Sequence, residues 1–484
     1  MRQAGETDGG ARRSGLLTAG GIVALAGLIL LLHGGSLSHG LFMDDYAHFQ
    51  QLRECGWSLG ELTRACRLEL VGEIIELWWM PELTLRFFRP VAFGLMKLTY
   101  TLSDWDPSVM HAASLGWHLA VCTLLMFLLR RVGLGRGISW CLAALFAVHP
   151  AHIATVRWIA CQSELMVTAF LLASFLCYAR FRALPGDGAG EPRDAGSGAA
   201  GWAVASAAFF GLAVGCRENA IVFPFVLLAV ELVLRGSRPR GVLVLFGVFG
   251  LMIAGYLALR WQMLGGAALP PRPYIVPPSA PDFPRYVFDK ACYYLLAEYL
   301  AAPCVPIGGL AYLRDHPLMF YGLAAFLVAV MLPVCLRRKR RLAAMLGGAW
   351  LGGFLLPVLP AFESPHHLYL PGIGWAITAA LLFAGRGEAD PTSAGRRGRI
   401  ARWGGLGLAA VVFAGATHFF GLALDTAQRV EDLVAEEVSA APSGLHDGDR
   451  IYIFNLPIIA HYLKLAVEQR TGLRDLRVSA LTWA

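Results

Sequence analysis

Long apolar stretches alternate with short polar ones along most of this chain. Crossing the hydrocarbon core of a bilayer takes about 20 consecutive apolar residues, and eleven stretches are predicted to be membrane helices. The two shortest need neighbouring protein to satisfy the backbone groups at their ends. The predicted spans are 15–33, 109–129, 137–149, 163–180, 201–215, 219–234, 241–260, 317–336, 342–360, 370–385 and 403–424.

Segments of mixed polarity divide the rest of the chain. Residues 34–108 and 261–316 are too long for turns and are predicted to form two large outer loops, whereas 183–201 is a Gly- and Ala-rich cytoplasmic linker. Within the outer segment 426–484, a strand-like run precedes a helix-like one. The predicted fold class is therefore an all-α polytopic membrane bundle of about 11 helices (15–425) after a short cytoplasmic N-terminus (1–14), with a small outer C-terminal α/β segment.

Composition agrees with this pattern, and charge orients it. The chain is 56% hydrophobic and 15% charged with a mean hydropathy of +0.55, which is far too apolar for a soluble protein of 484 residues. Arginine-rich loops fall on one side, which is predicted to be cytoplasmic. The net charge of +7 is thus a topology signal, and no nucleic-acid partner is expected. The basic segments are 130–136, 235–240, 337–341 and 396–399.

Ionisable and polar residues collect on the opposite, outer side, where six separate segments deliver them. Charged groups near membrane depth are costly and point to function. A cavity lined by carboxylate, guanidinium and imidazole groups suits a phosphate-bearing, sugar-like substrate. The residues are Asp44, Asp45, Arg89, His111, His118, His149, His152, Arg157, Gln162, Glu164, Arg217, Glu218, Glu363, His366, His367 and Tyr369.

Several of these residues also have structural explanations. One of Asp44 and Asp45 could cap the following surface helix, which leaves the other free to act as a base. His111 and His118 share one helix face about 10 Å apart and could serve packing and interhelical hydrogen bonds instead of binding. Arg217 and its neighbour Glu218 could simply be an ion pair that ties two helices together.

The pair His149 and His152 flanks a proline at the end of a predicted span. Histidines at i and i+3 can bind a metal, but capping of the turn or contact with a phosphate is the favoured interpretation. No cofactor is therefore expected to be required, and a divalent metal is the less favoured alternative. The ten cysteines have no spacing typical of a zinc site.

The order of these motifs resembles that of the GT-C membrane glycosyltransferases. Within that superfamily the chain is most similar to the transmembrane-and-TPR O-mannosyltransferase group and its bacterial relatives, although no TPR pattern is present in it. The resemblance covers residues 15–425. It is carried by DD, FRP, H-x6-H, FAVHPAHIATVRWIACQSELM, RENA-x3-P and ESPHHLYLPGIG, in that order.

The resemblance implies roles for individual residues. In the superfamily an acidic residue of the first outer loop is the catalytic base, and the Asp44–Asp45 pair occupies that motif here. Arg89 matches the arginine of the family's FRP or YRP motif, and His111 matches the histidine that opens the second span. The donor implied is a sugar on a polyprenyl phosphate.

The chain also departs from the family pattern. Gln162 stands where the family has an arginine, and Glu164 stands where it has an aspartate. Glu363 is followed by Ser-Pro-His-His and not by arginine. Arg157 and Arg217 are the residues that could replace the lost phosphate contacts.

These observations predict a membrane glycosyltransferase that moves a mannose-like hexose to an acceptor hydroxyl on the extracytoplasmic side, with inversion. Asp44 is the predicted base, and Asp45 orients a partner or the acceptor, which is a protein, a lipid or a glycan. The bacterial inner membrane is the expected location. The alternatives are a transporter or flippase of a lipid-linked glycan and a non-catalytic sugar-lipid binder. Transporters typically carry repeats and broken helices at the midplane, and neither is evident here.

Overall fold

The structure is a computed structural model of the whole chain. The predicted linker at 183–201 and the basic loops at 235–240 and 337–341 lie largely outside the described residues, as do parts of both predicted outer loops. The described residues are 3–69, 84–182, 198–234, 240–265, 274–301, 314–336, 341–383, 396–441, 444–457, 460 and 462–482.

Helices dominate the described residues. They are α1 (Gln3–His33), α2 (Asp44–Glu54), α3 (Leu59–Ala65), α4 (Pro90–Leu102), α5 (Pro107–Arg131), α6 (Arg136–Ala147), α7 (Ile153–Arg157), α8 (Gln162–Phe181), α9 (Ala199–Cys216), α10 (Phe223–Leu234), α11 (Arg240–Leu264), α12 (Phe283–Leu300), α13 (Pro317–Cys335), α14 (Arg341–Leu355), α15 (Gly372–Phe383), α16 (Arg396–Ser439) and α17 (Leu463–Thr471). The strands are β1 (Arg67–Glu69), β2 (Thr84–Arg86), β3 (Arg450–Ile453) and β4 (Arg477–Ala480).

Each predicted span overlaps one of these helices, which confirms the polytopic helical fold, but the count of eleven is not confirmed. Among the described residues, eight helical segments are long and apolar enough to cross a bilayer, or nine if a pair bent by 50° after α6 counts as one. The spans predicted at 137–149, 219–234 and 370–385 coincide with α6, α10 and α15, each of 12 residues. A 12-residue helix is about 18 Å long, well short of the hydrocarbon core.

Helix α8 lies at the centre of the bundle, and small residues let other helices approach one another closely. In the most apolar 18-residue stretch of α8 and the turn before it, 78% of the residues are buried, compared with 11% in α1.

Gly374 of α15 lies against the backbone of α14, where a Cβ would come within 2.4 Å of the Leu351 nitrogen. Such contacts between backbones are typical of membrane helices, which pack through small residues.

The first outer loop packs on the outer end of the bundle. The helical spacing of residues 57–83 predicts a helix along the membrane surface. The helix ends early, because α3 is followed by β1, which pairs antiparallel with β2. The apolar run 89–102 is short and contains Lys97, which predicts a helix at the membrane interface and not a span. Accordingly, α4 is not among the described segments that could cross a bilayer. The Lys97 ammonium is buried and donates to the backbone oxygen of Leu52 at 2.7 Å, so α4 is fastened to α2.

The outer C-terminal segment is a small α/β unit, as predicted. Strands β3 and β4 are parallel, with Arg450 opposite Arg477, and α17 connects them. Helix α16, of 44 residues, is about 66 Å long, so it extends well beyond a bilayer. Its apolar part ends before Asp425, and the polar remainder packs against α17.

Candidate functional site

Asp44 and Asp45 begin α2, and their carboxylates have different surroundings. Asp45 is fully buried, and its oxygens accept hydrogen bonds from the backbone N–H groups of Phe42 at 3.1 Å and Ala160 at 2.6 Å. Burial raises the pKa of Asp45 well above its ordinary value. Asp44 is only half-buried. Asp45 therefore fastens the loop to the turn before α8, and Asp44 is the more exposed carboxylate of the two.

Two distant parts of the chain, α16 and the C-terminal unit, hold the start of α2 in place. Met43 has a φ of 49°, a left-handed conformation that a residue with a side chain keeps only where its surroundings fix it. Its N–H donates to Glu431 Oε2 of α16 at 3.0 Å. The Tyr462 hydroxyl donates a hydrogen bond to the Asp44 carboxylate. The C-terminal unit thus contributes directly to the surroundings of this carboxylate.

Glu431 makes the stability of this region depend on pH. Its burial, with Asp45 and Asp44 adding negative charge nearby, raises the pKa of Glu431 from 4.5 to about 8. The folded protein therefore keeps a proton that the unfolded chain loses near pH 4.5, so stability falls as the pH rises from 4.5 to 8. We expect Glu431→Gln to raise Tm in detergent at pH 8 and to leave it nearly unchanged at pH 5.

The control for this experiment is Glu437→Gln, because Glu437 lies on the exposed side of the same helix. We expect this control to leave Tm the same at both pH values. At pH 5 the Glu431 carboxyl is protonated and therefore neutral, like the amide that replaces it. An equal shift of Tm at pH 5 and pH 8 in Glu431→Gln would therefore contradict the raised pKa of Glu431.

Two arginine–glutamate pairs form what we call the paired-arginine network: Arg89 with Glu218, and Arg217 with Glu164. Arg89 Nε lies 3.0 Å from Glu218 Oε2, and Glu218 Oε1 also accepts the Phe88 N–H at 3.2 Å. Arg217 Nε lies 2.9 Å from Glu164 Oε1. The sequence left open an ion pair between Arg217 and its neighbour Glu218. Instead, Arg217 pairs with Glu164 of α8, and Glu218 pairs with Arg89, the residue before α4.

The charges of this network follow from its contacts. Burial favours the neutral form of Glu218, yet the Arg89 guanidinium holds the pKa of this carboxyl below its ordinary value. Burial, with Arg217 and Arg89 close by, holds the pKa of His366 well below 6.5. His366 is therefore neutral at pH 7, and the permanent positive charges at this site belong to the arginines.

The acid pair and the paired-arginine network lie on either side of one region. His48 is within electrostatic range of both Asp44 and Arg89. Cys161, in the turn before α8, is likewise close to both aspartates and to Arg217. The structure therefore brings together the predicted base and the predicted phosphate-binding arginines, which are 45 or more positions apart in the sequence.

His111 and Gln162 support the site and do not line it. His111 Nε2 is 3.1 Å from the backbone oxygen of Gly40, which precedes the acid pair. The Gln162 side-chain amide donates to the backbone oxygen of Met110 at 2.7 Å. Both side chains therefore fix the positions of α5, α8 and the first outer loop relative to one another.

Arg157, His118 and Tyr369 make contacts within the helix bundle. The Arg157 guanidinium donates to Asp425 Oδ1 and to the backbone oxygen of Leu32, both at 2.6 Å, which joins α7 to α16 and α1. His118 Nδ1 lies 2.7 Å from the Tyr369 hydroxyl, and both side chains are fully buried. The structural explanation of His118 fits these contacts, and the guanidinium of Arg157 is already engaged by its own partners.

His149 and His152 lie in the turn that joins α6 to α7. His149 Nδ1 accepts the N–H of Ala151 at 3.2 Å, which is the capping role considered from the sequence. Its Nε2 lies 2.8 Å from the backbone oxygen of Glu298 in α12. His152 Nδ1 lies 3.0 Å from the backbone oxygen of Phe146. Both rings are fully buried.

Glu363 and His367 belong to the segment between α14 and α15. His367 Nδ1 lies 3.1 Å from the Tyr294 hydroxyl, which ties this segment to α12. Glu363 is within electrostatic range of Lys290, whose ammonium donates to the backbone oxygen of Val358 at 2.8 Å. These contacts hold His366 and His367 beside the paired-arginine network.

Sequence analysis did not single out four residues that matter here: His48, Glu298, Glu431 and Tyr462. His48 could have been found, because a residue four positions after Asp44 lies on the same face of a helix. The other three are each more than a hundred positions away from the groups they contact. No local pattern marks them, since their roles depend on tertiary packing.

Comparison with known proteins places these features in a wider context, although no family model matches the chain. Over 108 residues the chain is 32% identical to Protein O-mannosyl-transferase TMTC3 of Mus musculus, a stretch that covers 22% of this chain and 12% of that protein. Over 176 residues it is 28% identical to Protein O-mannosyl-transferase TMTC1 of Homo sapiens, covering 35% and 19%. The matches thus cover less than a fifth of each relative.

Solved structures show the same architecture. The oligosaccharyltransferase of Archaeoglobus fulgidus, tethered with an acceptor peptide containing the NVT sequon, matches 96% of this chain and 63% of its own with a TM-score of 0.52 at 13% identity. The same archaeal enzyme with an inhibitory peptide and a dolichol-phosphate matches 95% and 64% with a TM-score of 0.51 at 12% identity. This chain is a multi-pass membrane protein with the GT-C glycosyltransferase fold, similar in sequence to the protein O-mannosyl-transferases.

Proposed function

We propose that this protein is an inverting membrane glycosyltransferase. It moves a mannose-like hexose from a polyprenyl-phosphate carrier to an acceptor hydroxyl on the extracytoplasmic side. The observation that carries the proposal is that a half-buried carboxylate, Asp44, lies within electrostatic range of His48 and Cys161, which are also within range of Arg89 and Arg217 respectively. The names of the relatives support mannose as the sugar and a protein as the acceptor. The dolichol-phosphate in the archaeal structure supports a lipid-phosphate carrier.

The leaving group of such a reaction is a phosphate, which gains negative charge as the glycosidic bond breaks. Arg89 and Arg217 are suited to receive this charge, because a guanidinium has five N–H donors and each one spends only part of them on its glutamate. The glutamates fix the direction of the remaining donors before the substrate arrives. Donors that are already oriented stabilise a developing charge without a cost in reorganisation.

Asp44 has the role of general base. It removes the proton of the acceptor hydroxyl as this oxygen attacks the anomeric carbon, and a well-placed base contributes about 10²–10⁴-fold to the rate. The displacement takes place in one step, so the configuration at the anomeric carbon inverts and no covalent sugar–enzyme intermediate forms. Asp45 keeps α2 in position and does not exchange protons with the substrate.

Tyr462 is a positioning residue for this base, since its hydroxyl bonds to Asp44. We expect Tyr462→Phe to lower kcat about tenfold while the KM for the lipid-linked donor stays within about twofold, because a hydrogen bond to a charged group contributes about 1.5–3 kcal/mol. The control is Tyr452→Phe, which changes an exposed tyrosine of the same unit. A rise in KM with an unchanged kcat would contradict the positioning role.

The test of the proposed function is transfer from a panel of radiolabelled polyprenyl-phosphate sugars by the purified protein. Peptides rich in Ser and Thr, lipid extracts and glycans serve as separate acceptor pools. We expect label from one donor, mannose-like, to enter the peptide pool. Failure with every donor and acceptor, combined with movement of a fluorescent lipid-linked glycan across proteoliposomes, would replace the proposal with a flippase.

The location follows from the orientation predicted by the basic loops. We propose that the acid pair and the C-terminal unit face the extracytoplasmic side of a bacterial inner membrane, with membrane lipids delivering the donor sideways into the site. A membrane-impermeant reagent applied to intact cells tests the orientation. It is expected to label a cysteine placed at exposed position 437 and not one placed at position 136, where the basic segment 130–136 meets the start of α6.

A further inference from the structure

Glu298, in the last turn of α12, is a fully buried carboxyl group that the proposed reaction does not use. Neither of its side-chain oxygens has a hydrogen-bond partner among the described residues. Burying a carboxyl group is costly unless the group is neutralised, hydrogen-bonded or bound to a cation. The surroundings of Glu298 therefore require an explanation in terms of what it binds.

His152 faces the same space with an unused ring nitrogen. Its Nδ1 lies 3.0 Å from the backbone oxygen of Phe146, so this nitrogen carries the proton and Nε2 keeps its lone pair. Nε2 is buried and has no partner among the described residues. One ring nitrogen free and the other donating to a backbone carbonyl is the arrangement of a metal-binding histidine.

His149 completes a group of three. Its Nε2 lies 3.9 Å from Glu298 Oε2, and one side-chain atom from each of the three residues lies within 4.8 Å of the other two. We propose that His149, His152 and Glu298 bind a zinc ion, which joins the turn after α6 to α12. The site is distinct from the acid pair and the paired-arginine network.

The chemistry of the three ligands selects the ion. Two imidazoles and one carboxylate suit zinc, whereas magnesium and calcium prefer oxygen ligands alone. Zinc–ligand bonds of about 2.0–2.2 Å place tetrahedral ligand atoms about 3.4 Å apart, so the three groups close in by about 1 Å when the ion binds. On zinc binding the His149 proton moves from Nε2 to Nδ1, so the ring gives up its contacts with the Glu298 backbone oxygen and the Ala151 N–H in exchange for the metal.

Gly372, at the start of α15, fits this arrangement. A Cβ at this position would lie 2.7 Å from His152 Nε2 and 3.3 Å from Glu298 Oε1. A side chain would therefore push both ligands out of place. Because Gly372 has no Cβ, α15 can pack directly against the two ligands. A water molecule is expected to be the fourth ligand of the zinc ion.

The test uses the full-length protein in detergent. It is stripped with a chelator, loaded with one equivalent of zinc chloride, passed through a desalting column and analysed by plasma mass spectrometry. We expect one zinc ion per chain in the wild type, and at least about tenfold less in Glu298→Gln and in His152→Ala. The matched control is His118→Gln, which changes another fully buried histidine of the bundle and is expected to keep the zinc.

A second measurement needs no variant. Zinc is expected to raise the Tm of the wild type and EDTA to reverse this rise, because an ion that binds only the folded state stabilises it. The proposal is overturned if the loaded wild type holds no zinc, or if Glu298→Gln keeps its full content. Neither outcome is evidence for or against the proposed sugar transfer, because metal content and Tm are measured without substrate.

Discussion

Asp44→Asn is expected to abolish sugar transfer while leaving the fold intact. The substitution removes the only group that the mechanism assigns as base, so kcat falls by at least about 10²–10⁴-fold. Asparagine is nearly the same size, and Asp44 is half-buried and accepts no backbone N–H among the described residues, whereas Asp45 accepts two. The measurement is single-turnover transfer from the donor that the panel identifies, alongside Tm.

Asp45→Asn is the matched control for that experiment. Its amide nitrogen cannot accept the N–H of Ala160 or Phe42, so one backbone donor is left without a partner in a buried place. We expect a lower Tm, corresponding to about 1–3 kcal/mol, and partial activity in the fraction that folds. Full activity in Asp44→Asn would remove Asp44 as the base. Complete loss in Asp45→Asn at unchanged Tm would move that role to Asp45.

The second large effect is expected at the Arg217–Glu164 pair. Arg217→Met leaves the Glu164 carboxylate, which is 1% exposed, without its cation. Breaking a buried ion pair in this way costs about 3–5 kcal/mol, whereas neutralising both partners costs much less. We therefore expect Tm to fall sharply in Arg217→Met and to recover for the most part in the double variant Arg217→Met/Glu164→Gln.

Activity separates the structural role of this pair from its proposed catalytic one. If Arg217 stabilises the leaving phosphate, the double variant stays inactive although its fold is restored. The Arg182–Glu231 pair at the opposite end of α8, with 2.7 Å between Nε and Oε1, is the control. Arg182→Met/Glu231→Gln is expected to keep its transfer activity. Restored transfer in the Arg217→Met/Glu164→Gln double variant would show that this pair has a structural role only.

The sequence predicted the broad architecture because bilayer crossing imposes a strong local pattern. Apolar stretches and basic loops are local properties, so every predicted span overlaps a helix. The number of crossings does not follow from the same pattern, because helices such as α6 are too short to span the bilayer alone and their ends depend on neighbouring helices. The strand β1 was missed for a similar reason, since its hydrogen bonds go to β2, which lies 15 residues further along the chain.

The sequence could predict those residues of the candidate site that are charged and lie close to an apolar span. This rule found Asp44, Arg89 and Arg217, which the structure brings to one region. It also selected Arg157, whose guanidinium is held by Asp425. A lone sequence cannot distinguish the two cases, because the partner of an arginine is set by tertiary packing.

Helix α16 has a consequence for how the protein senses its membrane. It is a continuous helix whose apolar part must match the hydrocarbon thickness and whose polar part bonds to Met43 beside the acid pair. A rigid helix answers a thicker or thinner bilayer by tilting. Tilting would move Glu431 relative to the first outer loop, so we expect the proposed transfer to depend on the acyl chain length of the lipid, with an optimum at one length.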